Sequence, residues 1–160
     1  MTGAEELQPA AGTIRRVQAL MVAGFPLARQ AREAGVTPGR LTRTLTAATV
    51  PADLARTVAA VYARYSMASP GLCGVSHIHA RAARDRATAA RWPPAAAWDD
   101  GTIDDPAAVP QWTGHCGTAK GVDIHERHSI PLCPPCEGAL DRRQLRNTAR
   151  ELRAVAAARS

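Results

Sequence analysis

The stretch Cys116-Gly-Thr-Ala-Lys-Gly-Val-Asp-Ile-His125, followed by Cys133-Pro-Pro-Cys136, decides how the C-terminal part of this chain can fold. Two cysteines separated by two residues can bind one ion from a single tight turn, and an upstream Cys and His can complete a tetrahedral ligand set. The segment has little apolar bulk, so metal binding would supply folding free energy that a small core cannot. The spacing therefore predicts a structural Zn²⁺ site with four ligands, Cys116, His125, Cys133 and Cys136.

Alternatives to this ligand set are open. His128 could replace His125 as the fourth ligand, and Cys133 could pair with Cys136 as a disulfide or a redox couple. The chain shows no signal peptide and no transmembrane run, which favours a reducing cytoplasm, where Cys-x-x-Cys more often serves metal or redox chemistry. A thioredoxin-like redox site would need a βαβ setting, and the sequence has none.

A second, weaker candidate for metal binding is the group Cys73, His77 and His79. Only three ligands are present, and the two histidines would lie on different faces of a helix. We therefore expect a buried thiol and two surface histidines there, with no assigned role.

The composition indicates small helical domains with a basic N-terminal half. Apolar residues make up 46% of the chain, but many are alanine, with one Phe and two Tyr, whereas strands would need more β-branched and aromatic residues. Residues 1–98 contain 12 arginines and 5 acidic residues, and residues 99–160 contain 8 basic and 9 acidic residues. An arginine-rich half of this kind is typical of proteins that bind a polyanion.

Apolar residues at helical spacing predict five helices in the N-terminal half. They cover residues 12–24, residues 27–34, a third helix from Pro38, a fourth from Pro51, and residues 75–91. We expect residues 1–11 to form a frayed tail.

The remaining sequence predicts a linker, a metal module and a last helix. Residues 93–111 are proline-rich and acidic, so we expect an extended linker, with Trp98 and Ile103 docking on a neighbour. Glycines and prolines predict irregular knuckles in the zinc module, and a final helix covers residues 137–158. The predicted fold is thus mainly α, with a helical domain (12–92), a linker (93–111) and a zinc module plus C-terminal helix (112–160).

The stretch from Leu27 to Leu45 has the spacing of a DNA-binding helix-turn-helix. Ala31 is small where two helices would cross, and Gly35, four residues later, can adopt the positive φ of the turn. Gln30 departs from the pattern, because its position is usually apolar. Five residues are predicted to face outward on the second helix, where arginine and threonine can contact bases or phosphates: Thr37, Arg40, Thr42, Arg43 and Thr44. The alternative is a helical hairpin that binds no nucleic acid.

Several phrases resemble a known group of proteins. They are Gly12-Thr-x-Arg-Arg-x-x-Ala-Leu20, Gly24-Phe-Pro-Leu27, Arg91-Trp-Pro-Pro94 and Trp98-Asp-Asp-Gly-Thr-Ile-Asp-Asp-Pro106. Together with the helix-turn-helix they resemble helix-turn-helix proteins of actinobacteria and their phages, and the Cys116–Cys136 segment resembles a small zinc module that recurs in them. The resemblance covers most of residues 12–138. It implies a regulator of transcription, borne by a phage or mobile element, with double-stranded DNA as its partner.

An enzymatic role is disfavoured. The stretch from Val122 to Leu132 resembles the His-x-Ile-x-Pro-Leu element of His-Asn-His nucleases, which carry a Cys-x-x-Cys on both sides of it. Here only Cys116 precedes the element, Asn147 is the chain's only asparagine, and no histidine follows His128. We therefore expect no catalytic residues.

The sequence thus predicts a sequence-specific, DNA-binding transcriptional regulator that is cytoplasmic, associated with the nucleoid and not bound to a membrane. The alternative is an adaptor whose zinc module binds a protein partner such as the transcription machinery. We also expect a homodimer formed through a stripe on the last helix, made of Leu145, Leu152 and Val155. The same stripe could instead fold back on the fourth and fifth helices.

Overall fold

The computed structural model describes residues 6–111, 114–127 and 131–159, which are mainly helical, as predicted. The described residues divide into an N-terminal unit (residues 1–110) and a C-terminal unit (residues 111–160). In chain order the elements are β1 (Leu7–Pro9), α1 (Ala11–Ala23), α2 (Leu27–Glu33), α3 (Pro38–Thr44), β2 (Thr49–Pro51), α4 (Ala52–Tyr65), α5 (His77–Ala90), a 3₁₀ turn (Ala95–Ala97), α6 (Ala119–Arg127) and α7 (Pro134–Ala158).

Local signals set the ends of the first five helices, which lie within two residues of the predicted positions. Gly24 ends α1 because it adopts a φ of 106° and its N–H donates to the carbonyls of Leu20 and Met21. Thr37 begins α3, where its hydroxyl accepts the N–H of Arg40 at 3.2 Å. Ser76 caps α5 in the same way.

Helix α1 packs against α4 and α5 at the centre of the N-terminal unit. Its apolar residues take part in two buried clusters. The first contains Leu20, Phe25, Tyr62, Tyr65 and Ile103, and the second contains Val17, Met21, Ala31, Leu41, Leu54 and Val58. The face that α5 buries is made of alanines, at positions 80, 83 and 87. Small side chains allow two helix backbones to approach closely, which explains how an alanine-rich chain builds a packed core.

A short sheet corrects the expectation of a frayed N-terminal tail. Strand β1 pairs antiparallel with β2, with Gln8 opposite Val50. Val50 is buried and packs with Ala10 and Ala55. The pairing joins segments about forty residues apart in sequence, so local periodicity carries no signal for it.

The proline-rich segment, for which an extended linker is predicted, packs on α1 over most of its length. Ile103 is fully buried in the first cluster. The Arg15 guanidinium donates to the carbonyls of Ile103 at 2.7 Å and of Ala108 at 2.8 Å, and it stacks over the Trp98 ring at 4.4 Å. One side chain of α1 therefore satisfies several carbonyls of a segment that lacks regular structure.

A second arginine of α1 fixes the same segment. Arg16 forms a two-pronged ion pair with Asp104, and its Nη2–Oδ2 distance is 2.9 Å. Gly12 lies beneath this pair, because a Cβ at that position would meet the Asp104 side chain and come within 2.9 Å of its Cα. The dense contact explains why a glycine begins this face of α1.

The C-terminal unit consists of α6 packed against α7. Helix α6 corrects the prediction of irregular knuckles, because the chain from Ala119 to Arg127 is helical. Helix α7 begins at Pro134, three residues before the predicted start, because prolines are tolerated in the first helical turn. No helix in the described parts of the chain combines the length and the apolar character needed to cross a bilayer.

Candidate metal centre and candidate nucleic-acid interface

Four side chains converge in the C-terminal unit as the sequence predicts: Cys116, His125, Cys133 and Cys136. Their ligand atoms all lie within 4.8 Å of one another, and the Cys116 Sγ to His125 Nε2 distance is 3.5 Å. In a tetrahedral zinc site, ordinary Zn–S and Zn–N bonds place neighbouring ligand atoms about 3.5–3.8 Å apart. The group therefore has the size and the donors to hold one metal ion.

The start of α7 presents two of the four ligands. Cys133 is the residue before the helix, and Pro134 and Pro135 occupy the first two helical positions, where their missing N–H groups are not needed. The N–H of Cys136 donates to the Cys133 carbonyl at 2.8 Å. This tight turn brings both sulfurs to the same side of the chain.

A glycine and a threonine shape the turn that carries Cys116. Gly117 adopts a φ of 83°, and its N–H donates to the Cys136 sulfur at 3.4 Å. The Thr118 hydroxyl donates to the His115 carbonyl at 2.6 Å and accepts the N–H of Gly121 at 3.2 Å, which caps α6. The turn thereby directs Cys116 toward Cys136, and it begins the helix that carries His125.

Gly121 is required where α6 passes behind this turn. A Cβ there would lie 2.7 Å from the carbonyl carbon of His115 and 3.0 Å from the Cα of Cys116. Both are backbone atoms, which cannot rotate away. The glycines and prolines of the module predicted irregular knuckles, although the Gly-Thr-x-x-Gly spacing could have indicated this cap.

Burial acts against ionisation of the Cys136 thiol. Cys136 is completely buried, and burial raises the pKa of its thiol to about 11, with the neighbouring Cys133 and Cys116 acting in the same direction. The Gly117 N–H opposes this shift. The buried Cys136 thiol does not ionise readily by itself, whereas a bound divalent cation stabilises a thiolate outright. The electrostatics of the site therefore favour a cation among the sulfurs.

Apart from these four side chains, the described residues of the C-terminal unit form only a small core. Its buried apolar cluster consists of Val122, Cys136 and Ala139, with Leu132 and Leu140 only partly covered. Two arginines of α7 add polar contacts to the turn that carries Cys116 and to α6. Arg142 donates to the Gly117 carbonyl at 3.2 Å, and Arg143 pairs with Asp123 at 3.2 Å.

The remaining candidate metal ligands are His128 and the group Cys73, His77 and His79. His128 lies outside the described residues. Within the described residues, Cys73, His77 and His79 do not form a metal-binding group. Cys73 is half-buried against the first cluster, and both histidines are exposed.

Helices α2 and α3 are joined by a short turn and pack against each other, as a helix-turn-helix would require. Gly35 has a φ of 66° in the turn, and Ala31 and Leu41 are fully buried between the helices. Gln30, the departure from the apolar pattern, is also buried. Its amide donates to the carbonyls of Val17 at 3.2 Å and Phe25 at 3.0 Å, so a polar side chain links α2 to α1 and to the turn between them.

The outward face of α3 contains most of the predicted DNA-binding residues. Thr37, Thr42 and Arg43 are exposed, and Arg40 is half-buried. Thr44 is a correction: it is 4% exposed, and its hydroxyl donates to the Arg40 carbonyl at 3.1 Å, so it belongs to the inner face. Thr46, which follows α3, is exposed on the same segment and was not predicted.

The stripe on α7 is exposed. Leu145, Leu152 and Val155 have relative exposures of 71%, 67% and 51%.

Comparison of the chain with known protein families, with curated proteins and with solved structures gives no match. Function must therefore be inferred from the metal-binding group, the outward face of α3 and helix α7.

Proposed function

We propose that this chain is a sequence-specific, DNA-binding regulator of transcription with one structural Zn²⁺, as in the helix-turn-helix proteins that its sequence resembles. The observation that carries the proposal is the arrangement of α2 and α3. Their inner face is closed by Ala31 and Leu41, which leaves a basic and hydroxyl-bearing face of α3 exposed. A helix presented in this way fits the major groove of DNA.

Arg43 is the proposed centre of the DNA contact, because it is exposed on α3 and lies one residue from Thr42. Arginine can donate two hydrogen bonds to the O6 and N7 atoms of guanine, and threonine can reach phosphates or base edges. Arg40 lies one turn earlier on the same helix and Thr37 at its N-cap, and they extend the contact along the groove.

Zinc is the proposed metal because three sulfurs and one imidazole suit its preference for soft and borderline donors. Four protein ligands leave no open coordination position for water, which is the arrangement of structural rather than catalytic zinc sites. The role proposed for the metal is therefore to fold the C-terminal unit, and no catalytic role is proposed for it.

The experiment that tests this function is selection of bound DNA from a random duplex pool by the zinc-loaded chain. We expect one enriched motif. Arg43→Ala should weaken binding to that motif by roughly 1–3 kcal/mol and relax the preference at one base pair. Arg56→Ala, which removes an exposed arginine of α4, is the matched control. A pool with no enriched motif, or equal affinity for the Arg43→Ala and Arg56→Ala variants, would contradict the proposal.

A homodimer formed through α7 is part of the proposal. One helix-turn-helix contacts few base pairs, and paired copies on adjacent half-sites are the usual solution. The exposed apolar stripe is a surface that a second copy can cover. Sedimentation of the full chain and of a chain ending at Leu140 should show a dimer that only the full chain forms. If both are monomers and one chain binds each DNA site, the dimer is excluded.

The stripe also supports the second candidate function, an adaptor whose zinc module and α7 bind a protein of the transcription machinery. Co-purification of a partner after nuclease treatment, which is lost in the chain ending at Leu140, together with no enriched motif in the DNA selection, would favour this function over DNA recognition.

A further inference from the structure

A cavity of about 280 Å³ lies beside the start of the helix-turn-helix, between α2 and the beginning of α5. Pro26 and Ala28 line it at the first turn of α2. Its polar lining consists of Arg29 and Arg32 from α2 and of Ser76 and His79 from the start of α5. None of the described residues that line it is acidic. The cavity therefore offers donors and positive charge to an anion.

The polar side chains of the cavity have different surroundings. Arg29 is held by Glu33, with an Nε–Oε1 distance of 2.8 Å, so its charge is largely balanced. Arg32 is exposed on the next turn of α2. The Nδ1 atom of His79 lies 3.0 Å from the Ser76 hydroxyl, which orients the ring and leaves Nε2 for an outside partner. Arg32 and His79 are thus the two groups best suited to contact a bound anion.

The position of the cavity indicates which anion it meets. In a helix-turn-helix bound to DNA, the second helix enters the major groove while the first crosses the sugar–phosphate backbone. The cavity opens beside the first helix of the pair, α2, and it adds residues from α5, which is not part of the helix-turn-helix.

We propose that Arg32 and His79 bind one phosphate of the DNA backbone, with Ser76 orienting His79. This inference rests on the proposed DNA-binding function and extends the DNA contact beyond α2 and α3. Such a contact gives affinity and fixes the register of α3 on the duplex, but it carries no sequence information of its own.

The test compares Arg32→Ala and His79→Ala with two control variants on the DNA motif selected by the intact chain. His77→Ala and Arg81→Ala are the controls, because both residues are exposed on α5 and neither lines the cavity. We expect Arg32→Ala to weaken binding to all sequences alike, by roughly three- to tenfold at physiological salt. Its slope of log affinity against log salt should be smaller in magnitude by about 0.9, which is the loss of one phosphate contact. His79→Ala should act in the same direction, and the controls should match the intact chain.

The outcomes separate this inference from the proposed function. If Arg43→Ala is impaired while Arg32→Ala and His79→Ala behave like the controls, the phosphate contact is wrong and DNA recognition by α3 stands. If the intact chain enriches no motif and shows no salt-dependent binding to DNA, both fail. Circular dichroism of each variant establishes that it is folded.

A separate titration distinguishes the DNA backbone from a free anion as the source of the phosphate. Inorganic phosphate is added to the zinc-loaded chain while the ring resonances of His77 and His79 are followed by NMR. Weak, selective shifts of His79 that disappear in Arg32→Ala support a site built for a phosphate group. Saturation at low phosphate with unchanged DNA affinity in Arg32→Ala would assign the cavity to a free anion and overturn the proposal.

Discussion

The two units of this chain are held together in different ways. In the N-terminal unit, large apolar side chains such as Phe25, Leu20 and Leu41 are fully buried, and they come from elements spread over much of the sequence. Among the described residues of the C-terminal unit, the largest fully buried side chains are His125, Val122 and Cys136, and two of these three are metal-ligand candidates. One unit is stabilised by apolar burial, and the described core of the other consists largely of residues that could hold a metal ion.

The difference teaches how stability is distributed along the sequence. Apolar burial contributes small amounts at many positions, so that a single conservative change in the N-terminal unit is tolerated. Metal coordination concentrates the folding free energy in four atoms, so the C-terminal unit should respond to changes at the ligands in an all-or-none manner.

The largest expected effect is that of metal removal. A chelator should unfold α6 and the start of α7 and leave α1 to α5 intact, because structural zinc contributes about 10–16 kcal/mol of apparent binding free energy in small modules. Metal analysis should give one zinc per chain, and Cys136→Ser should lower this value sharply. Backbone NMR of the two units, with and without chelator, measures the effect. Folded C-terminal signals that persist without metal would refute the idea that metal binding stabilises the C-terminal unit.

The second prediction perturbs the N-terminal unit instead, by creating a cavity in its core. Phe25→Ala should destabilise that unit by about 3–5 kcal/mol, because Phe25 is fully buried and packs on Tyr65 with ring centroids 5.2 Å apart. Zinc content should stay unchanged. Denaturant unfolding followed by the signals of each unit measures this, and Leu72→Ala, at an exposed position of the same unit, is the matched control. Loss of zinc from Phe25→Ala would show that the units are coupled.

A pair of glycines sharpens the comparison within the C-terminal unit. Gly121→Ala should destabilise the turn that carries Cys116 by roughly 1–3 kcal/mol, because the added Cβ would overlap the backbone of His115 and Cys116. Gly138→Ala in α7 should do the opposite and stabilise by about 0.5–1 kcal/mol, since the new Cβ meets only the flexible end of Arg142 at 3.4 Å. Competition with a zinc-binding dye measures both variants. Equal zinc affinities would show that the turn adapts.

The smallest expected effect is the loss of stability of the N-terminal unit at acidic pH. The hydrogen bonds from Arg16 lower the pKa of Asp104 below its usual value near 3.8. The ionised pair therefore stabilises the N-terminal unit above that pH, and its contribution is lost as the pH falls through the lowered pKa. The effect should be slight, because the Asp104 side chain is 61% exposed. Melting temperatures between about pH 5 and pH 3 should fall slightly more for the natural chain than for Asp104→Asn. The metal centre should fail first, since protons compete for its thiolates. An identical pH dependence in the two chains would contradict the role given to Arg16.

Local features of the sequence predicted the metal group and every described helix except α6, because these features depend on neighbours along the chain. Helix periodicity needs only a few turns of sequence, and the Cys133-Pro-Pro-Cys136 turn fixes two ligands by itself. Features that depend on distant residues were missed. The pairing of Gln8 with Val50 joins parts of the chain far apart in sequence. Docking of Ile103 was predicted, but the hydrogen bond from Arg15 to its carbonyl was not.

Two further predictions, for Thr44 and Gly121, differ from the structure because each residue type can serve more than one structural role. Thr44 has the polarity of a DNA-contacting residue, but its hydroxyl bonds to the backbone of its own helix, so it can be buried. Gly121 reads as a helix breaker, yet here it permits a close approach of two backbone segments. In both cases the tertiary neighbours, which periodicity does not report, decided the outcome.

Helix α7 gives the metal an influence far beyond its ligands. Cys136 lies in the first turn of a helix that continues to Ala158, a rise of about 33 Å at 1.5 Å per residue. The far half of this rod is rich in alanine, leucine and arginine, which favour a helix even without packing. A metal ion bound by the four ligands would therefore fix the direction of a helix whose far end moves by about 0.6 Å for each degree of rotation at its base.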